Sequence, residues 1–138
     1  MRKYLDILES PNPAEALVRE LKSMGREWLR PGDDKKMVLI GSTAIHIEVY
    51  DRHSINLMEI NTGKTHRFTG AGSAALKVLT DLADRHKVTI YGNAYPIITM
   101  LGERRLKLDE LVGWYQKNGF EIADEPAVRG VNIVRHPR

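Results

Sequence analysis

The chain has 138 residues, of which 42% are hydrophobic and 28% charged, and this length and composition suit one folded domain over residues 1–138. They exclude a disordered chain, and no apolar stretch is long enough to cross a bilayer. Because there is no cysteine, disulfides, cysteine nucleophiles and thiolate metal sites are excluded. The N-terminal segment lacks the apolar core of a signal peptide, so we expect a cytoplasmic protein without a membrane partner.

The charge balance is mildly basic. Lysine and arginine exceed aspartate and glutamate by 21 to 18, which gives a net charge of +3 and suits an anionic ligand. A nucleic-acid-binding chain would carry a denser basic stripe with aromatic residues along it, so the sequence disfavours nucleic acid as a partner. The histidines form no close cluster in the sequence, and we expect no metal site.

The first predicted helix follows a short segment, Tyr4–Leu8, that we leave unassigned. Asn12 can cap this helix, Pro13 suits its first turn, and Pro31-Gly32 is expected to end it. Four apolar residues recur along one face, which predicts packing against a sheet: Leu17, Leu21, Met24 and Trp28.

Three β-rich runs come next, and short connections between them predict antiparallel neighbours. These runs are Lys36–Ile40, Thr43–Tyr50 and Ser54–Ile60. In the middle run, Ile45 and Ile47 alternate with His46 and Glu48. This alternation predicts a strand with one apolar face and one polar face.

The second half of the chain alternates helices with strands. A helix from Gly70 to about Lys87 and another over Leu108–Asn118 are predicted, and the strands are Val88–Tyr91, Phe120–Ile122 and Val131–Val134. The run Ser54–Ile60 and the strand Val88–Tyr91 should be parallel because a helix joins them. We therefore predict a mixed α/β (α+β) fold, with a mainly antiparallel central sheet and helices on both of its faces.

Three overlapping phosphate-binding patterns precede the second predicted helix. Gly63-Lys64-Thr65 matches the tail of a Walker A loop, but Met58 stands where that loop needs its first glycine. Gly70-Ala71-Gly72-Ser73-Ala74-Ala75 fits the dinucleotide fingerprint, but polar residues precede it instead of a buried strand. The third pattern, Arg67-Phe68-Thr69-Gly70-Ala71-Gly72, lies between a strand and an alanine-rich helix, as its spacing requires.

This third pattern resembles the Q/RxxGxG/A pyrophosphate loop of the GNAT acetyltransferases. Tyr115-Gln116-Lys117-Asn118-Gly119-Phe120 resembles the later YxKxGF segment of that family, and GVNIVRHP, residues 130–137, resembles its closing strand. The motifs stand in the family's order and cover roughly the second half of the chain. The GxGxxAL helix and the WYxxxGF ending resemble phage-borne or prophage-borne members, for which the location would be the host cytoplasm.

The resemblance implies an acyltransferase, specifically an N-acetyltransferase that moves the acetyl group of acetyl-CoA to a primary amine by direct attack in a ternary complex. The acceptor would be a small-molecule amine or a protein amine, and a homodimer is compatible with this function. The alternative is a CoA-binding or basic regulatory protein that keeps the fold without catalysis. Two departures weaken the match: Gly92–Lys107 is longer and more basic than usual, and the family's Asn and Ala spacing ahead of the tyrosine is absent, which leaves only Asn93 nearby.

Backbone N–H groups at a helix N-terminus can bind a pyrophosphate, and glycines allow its close approach. Two glycines around one residue also suit a plain turn at the start of a helix, and an arginine such as Arg67 is also common on a surface. The residues expected to hold the CoA phosphates are Arg67, Phe68, Thr69, Gly70, Ala71, Gly72 and Ser73.

The chemistry requires a base, because an ammonium acceptor has a pKa of about 10.4 and must lose a proton before it attacks. The resemblance points to Glu59, in the strand before the loop, with His46 and Glu48 as alternatives on the neighbouring strand. A solvated residue on a strand face is the competing interpretation of Glu59. A backbone N–H near Met58–Ile60 would polarise the thioester carbonyl.

The departing thiolate is expected to receive a proton from a general acid. Tyr115 stands in that place in the family, and a tyrosine with a pKa near 10 is protonated at neutral pH. A core aromatic residue beside Trp114 is the competing interpretation.

Overall fold

The computed structural model describes residues 12–29, 36–62, 70–95 and 107–138. The helices are α1 (Pro13–Met24), α2 (Ala71–His86) and α3 (Leu108–Lys117). The strands are β1 (Arg26–Leu29), β2 (Lys36–Ile40), β3 (Thr43–Asp51), β4 (Ser54–Thr62), β5 (Thr89–Ala94), β6 (Glu121–Ile122) and β7 (Val131–Arg135). No helix in these ranges is long and apolar enough to cross a membrane.

Helix α1 begins as the sequence predicts. Asn12 Oδ1 accepts a hydrogen bond from Glu15 N at 2.8 Å, and Pro13 occupies the first turn. Leu17 and Leu21 are fully buried, which confirms the apolar face at these two positions. Met24, predicted on the same face, is 52% exposed because it is the last residue of the helix.

The predicted end of this helix at Pro31-Gly32 is wrong. The helix ends at Met24, and after Gly25 the chain turns into β1, which pairs antiparallel with β2. A Cβ at Gly25 would lie 2.4 Å from Leu39 O, so glycine lets the chain pass this close to β2. Trp28 therefore lies on an edge strand and is 37% exposed. Its helical spacing from Leu21 is a coincidence of the sequence.

The seven strands form one sheet in the order β1-β2-β3-β4-β5-β7-β6. All neighbours are antiparallel except β4 and β5, which pair in parallel from Ser54–Thr89 to Leu57–Gly92. The sequence predicts this parallel pair, and six of the seven strands lie where it expects them, with shifts of a few residues at their ends. The prediction of a mixed, mainly antiparallel sheet with helices is confirmed.

The core lies between the sheet and the described helices. A Cβ at Gly92 would meet Ile133 Cγ1 at 3.4 Å and Leu57 Cβ at 3.8 Å, so these three residues share one sheet face. The buried core combines this face with the helices: Ala14, Leu17 and Leu21 of α1, Leu76, Leu79 and Leu82 of α2, and Val112 and Tyr115 of α3. All three described helices contribute residues to this core.

Candidate functional site

Strands β4 and β5 part at their carboxyl ends. Their parallel register ends at the Leu57–Gly92 pair. Beyond it, β4 continues to Thr62 against β3, while β5 continues to Ala94 against β7. Among the described residues, the second half of β4 therefore has no strand partner on its β5 side.

A β-bulge in β4 lies at the same point. His46 pairs with Glu59 and Ile47 with Leu57, so Met58 is an extra residue without a partner in the β3 register. A bulge bends the strand and turns its backbone groups away from the regular ladder. The backbone near Met58–Ile60, which we expect to polarise the thioester carbonyl, begins at this bulge.

Helix α2 begins beside the carboxyl ends of β4 and β5. It joins the carboxyl end of β4 to the amino end of β5, which are parallel, so its N-terminus lies by the carboxyl ends of both strands. Its N-cap is Gly70, with φ of 89°, and a Cβ there would meet no atom within 4 Å. The first helical hydrogen bond runs from Ala74 N to Gly70 O at 2.9 Å. The N–H groups of Ala71, Gly72 and Ser73 precede that bond.

The start of α2 differs from the starts of the other two helices. Asn12 caps α1, and at the start of α3 the Lys107 N–H donates to Glu110 Oε1 at 3.1 Å. Both helices carry carboxylates in their first turn, Glu15 in α1 and Asp109 with Glu110 in α3. Helix α2 has neither a side-chain cap nor an acidic residue in its first turn. No side chain of this turn therefore offsets the partial positive charge of the α2 N-terminus, which suits an anionic ligand.

Trp114 connects α3 to this helix start. Its Nε1 donates a hydrogen bond to Ser73 Oγ at 2.7 Å. From the sequence, Trp114 is expected only as a neighbour of Tyr115, and this bond is not predictable because the two residues are 41 positions apart in the chain. The one available signal is that the two motifs containing them are both expected at the cofactor site.

Tyr115 belongs to α3, and its side chain is buried, with 6% of the residue exposed. Its ring makes edge-to-face contacts with Trp114, at 4.9 Å between centroids, and with Phe120, at 5.2 Å. Burial raises the pKa of Tyr115 to about 12, so the hydroxyl is protonated throughout the physiological range. The Tyr115 hydroxyl is not among the sealed side-chain atoms of the described residues that lack a hydrogen-bond partner.

The three candidate bases lie together on the other face of the sheet. Ile45 and Ile47 of β3 belong to the helix-covered face, so His46 and Glu48 point to the opposite one. Glu59 shares that face because it pairs directly with His46. His46 Nε2 lies 3.4 Å from Glu48 Oε1. Glu59 and Tyr115 are thus on opposite faces of the sheet, near the place where β4 and β5 part.

Of the residues expected to hold phosphates, Gly70, Ala71, Gly72 and Ser73 form the start of α2. Arg67, Phe68 and Thr69 lie outside the described residues. In the ranges that the structure describes, no group of three or more histidine or carboxylate side chains could hold a metal ion.

No family model matches the sequence, and no curated protein matches it significantly. The solved structures that are similar in fold include the following three. The anti-CRISPR protein AcrVA5 matches with a TM-score of 0.56 at 18% identity, over 71% of this chain and 94% of its own. Ard1 from Thermoplasma volcanium matches with a TM-score of 0.55 at 17% identity, over 90% of this chain and 80% of its own. A GNAT family acetyltransferase from Elizabethkingia anophelis, with acetyl-CoA bound, matches with a TM-score of 0.52 at 13% identity, over 90% of this chain and 84% of its own. The chain has the fold of the GNAT acetyltransferases.

Proposed function

We propose that this protein is an N-acetyltransferase that transfers the acetyl group of acetyl-CoA to a primary amine by direct attack in a ternary complex. The observation that carries the proposal is the start of α2, which has two glycines, no side-chain cap and no acidic residue. Such a helix start offers backbone donors and partial positive charge to a pyrophosphate. The matching fold of an acetyltransferase with acetyl-CoA bound supports the same ligand.

The parting of β4 from β5 gives the rest of acetyl-CoA a place to lie. Among the residues that the structure describes, no strand pairs with β4 on this side beyond Leu57, and an extended chain with amide groups can pair with such an edge. The pantetheine arm of CoA contains two amides. With its pyrophosphate at α2 and its arm along β4, the thioester would reach the bulge at Met58.

The acceptor amine must lose a proton before or during its attack on the thioester carbon. Glu59, beside the bulge, is our candidate base, and His46 or Glu48 could relay the proton onward. Attack forms the new C–N bond and then breaks the C–S bond, which releases CoA as a thiolate. A backbone N–H near Met58–Ile60 would stabilise the oxyanion of the tetrahedral intermediate.

Tyr115 is our candidate donor to the departing thiolate, since it lies on the opposite sheet face from Glu59. A pKa of about 12 is well above the value of about 8.5 for an ordinary thiol. Full proton transfer from Tyr115 to the sulfur is therefore uphill. We infer that Tyr115 acts mainly by donating a hydrogen bond, while the proton itself can come from water.

The proposal is tested by following free CoA thiol when the protein is incubated with acetyl-CoA and a panel of small amines and peptides. We expect release above the rate without acceptor for at least one class of amine, together with a mass increase of one acetyl group in that acceptor. Acetyl-CoA binding without release across the whole panel would argue against the enzyme and for the second candidate.

That second candidate is a CoA-binding regulatory protein without catalysis. The packing of Tyr115 between Trp114 and Phe120 favours it, because these ring contacts give the tyrosine a structural role without any chemistry. Unchanged thiol release in a Tyr115→Phe and Glu59→Gln double variant with normal CoA affinity would remove both proposed catalytic roles.

A further inference from the structure

We propose that Trp114 is a positioning residue for the cofactor site, which fixes the hydroxyl of Ser73 as a hydrogen-bond donor to the CoA pyrophosphate. This inference rests on the proposed acetyl-CoA site and adds to it a residue that touches no ligand. The observation behind it is the 2.7 Å hydrogen bond from Trp114 Nε1 to Ser73 Oγ.

The direction of this bond follows from chemistry. An indole N–H can only donate, so Ser73 Oγ must accept. A serine hydroxyl has one hydrogen and two acceptor lone pairs, and the indole uses one of those lone pairs. The hydroxyl hydrogen is left for another acceptor, and phosphate oxygens are acceptors. Without the indole, the hydroxyl could rotate and present a lone pair toward the phosphate, which would be repulsive.

The position of Ser73 suits this role. It is the third residue of α2, and its own N–H precedes the first helical hydrogen bond from Ala74 to Gly70. Ser73 is exposed while Trp114 is only partly so, and Trp114 packs against the hydrophobic core. A rigid indole thus holds a polar group at the surface where the ligand is proposed to bind.

The hydrogen bond to Ser73 holds the Trp114 ring in one orientation. The neighbouring contacts also restrain the ring: Tyr115 meets it edge-on at 4.9 Å, and Asn118 Nδ2 donates to the backbone oxygen of Trp114 at 2.8 Å. Because α3 is held in this way, the bond to Ser73 also fixes the start of α2 relative to Tyr115. Cofactor binding and the proposed leaving-group donor are thereby joined.

The test is a double-mutant cycle on the dissociation constant of CoA, measured by calorimetry with Trp114→Phe, Ser73→Ala and the double variant. Phenylalanine keeps an aromatic ring and removes the N–H. We expect each single variant to weaken CoA binding by about two- to tenfold, the value of one hydrogen bond. In the Ser73→Ala background, Trp114→Phe should have no further effect, because the hydroxyl that it orients is gone.

Three controls separate this role from packing. Trp28→Phe makes the same change at the other tryptophan, on the edge strand β1, and should leave CoA affinity at the wild-type value. Ser73→Thr restores a hydroxyl and should recover affinity relative to Ser73→Ala, which keeps the inference testable if Trp114→Phe does not fold. The Trp114→Phe and Ser73→Ala variants should lose affinity for dephospho-CoA by the same factor as for CoA, because both ligands contain the pyrophosphate.

The inference would be overturned if Trp114→Phe bound CoA as tightly as the wild type. It would also be overturned if Trp114→Phe lowered the CoA affinity by the same factor with and without the Ser73 hydroxyl. Neither result would affect the proposed function. Equal affinities of Ser73→Thr and Ser73→Ala would overturn the inference as well. Wild-type protein that binds no CoA would instead overturn the proposed function, and this inference with it.

Discussion

Arg135 of β7 and Asp84 of α2 form a bidentate ion pair, with Nη1–Oδ1 at 2.8 Å and Nη2–Oδ2 at 3.1 Å. Arg135 Nε also donates to the backbone oxygen of Asn118, just after α3, at 3.0 Å. The Arg135 side chain is only 5% exposed. This single guanidinium therefore ties the end of α3 and the last strand to α2, the helix whose start forms the candidate site.

The first prediction is that Asp84→Asn destabilises the protein by about 3 kcal/mol, because it leaves a buried guanidinium without its counter-charge. We take the lower end of the usual range because the Asp84 side chain is 30% exposed. Urea unfolding at neutral pH measures the change. Asp81→Asn on the same helix is the matched control: its partner Lys77 is exposed, and the loss should stay below about 0.5 kcal/mol. Equal losses in the two variants would contradict this account of Arg135.

The second prediction concerns the loss of folding stability at acidic pH. The hydrogen bond from Arg135 holds the pKa of Asp84 below its ordinary value of 3.8. Between the folded and unfolded pKa values the unfolded chain binds more protons, so this contribution is complete above about pH 4 and is lost as pH falls through the folded value. Glu20, whose pKa is lowered chiefly by its hydrogen bond with His86, acts in the same direction.

The measurement is the free energy of unfolding at pH 6 and pH 3 for wild type and Asp84→Asn. We expect a smaller acid loss in the variant, which keeps Glu20 but no longer has the carboxylate at position 84. An identical acid loss in both proteins would show that the Asp84–Arg135 pair does not contribute to the pH dependence.

The third prediction compares two glycines. Gly72→Val should weaken CoA binding by at least about tenfold, since it places a β-branched side chain among the proposed phosphate-binding N–H groups. Gly113→Ala, inside α3, is the control: a Cβ there would meet nothing within 4 Å, and alanine favours a helix by up to about 1 kcal/mol over glycine. This control should keep CoA affinity and gain stability. Calorimetry and thermal unfolding of both variants provide the test, and normal CoA binding by folded Gly72→Val would remove the loop from the site.

The fourth prediction is that Tyr115→Phe lowers turnover by about 10- to 100-fold while CoA affinity stays near wild type. A hydrogen bond to a charged group is worth about 1.5–3 kcal/mol, and it forms with sulfur only as the thiolate departs. Because the Tyr115 pKa is about 12, the wild-type rate should not fall between pH 8 and about 10 through loss of this proton. Unchanged turnover with chemistry shown to limit the rate would assign Tyr115 to packing alone.

The strands and helices of the second half were predictable because their signals are local. The switch from alternating residues in β4 to helical spacing after Gly70 marks one boundary, and Gly119 with φ of 91° ends the α3 region. Strand β1 was not predictable in the same way. Its four residues owe their conformation to pairing with β2, and nothing in Arg26–Leu29 itself alternates between buried and exposed positions.

In the candidate site too, features with a local sequence signal were predictable and features that depend on tertiary contacts were not. The uncapped start of α2 could be predicted, since the first turn contains no acidic residue and the cap position is glycine. The bulge at Met58 and the Trp114–Ser73 bond depend on how strands and helices come together in three dimensions. The burial that raises the Tyr115 pKa likewise comes from Trp114, Phe120 and the sheet beneath, so only the folded protein reveals it.

The most direct test of the central claim is a calorimetric titration of the wild-type protein with acetyl-CoA, with NAD and ATP in parallel. We expect one acetyl-CoA to bind per chain with a dissociation constant at or below about 1 mM, the upper end of common substrate KM values, and much weaker binding of NAD and ATP. No binding of acetyl-CoA at that concentration, or binding of NAD at equal strength, would contradict the central claim.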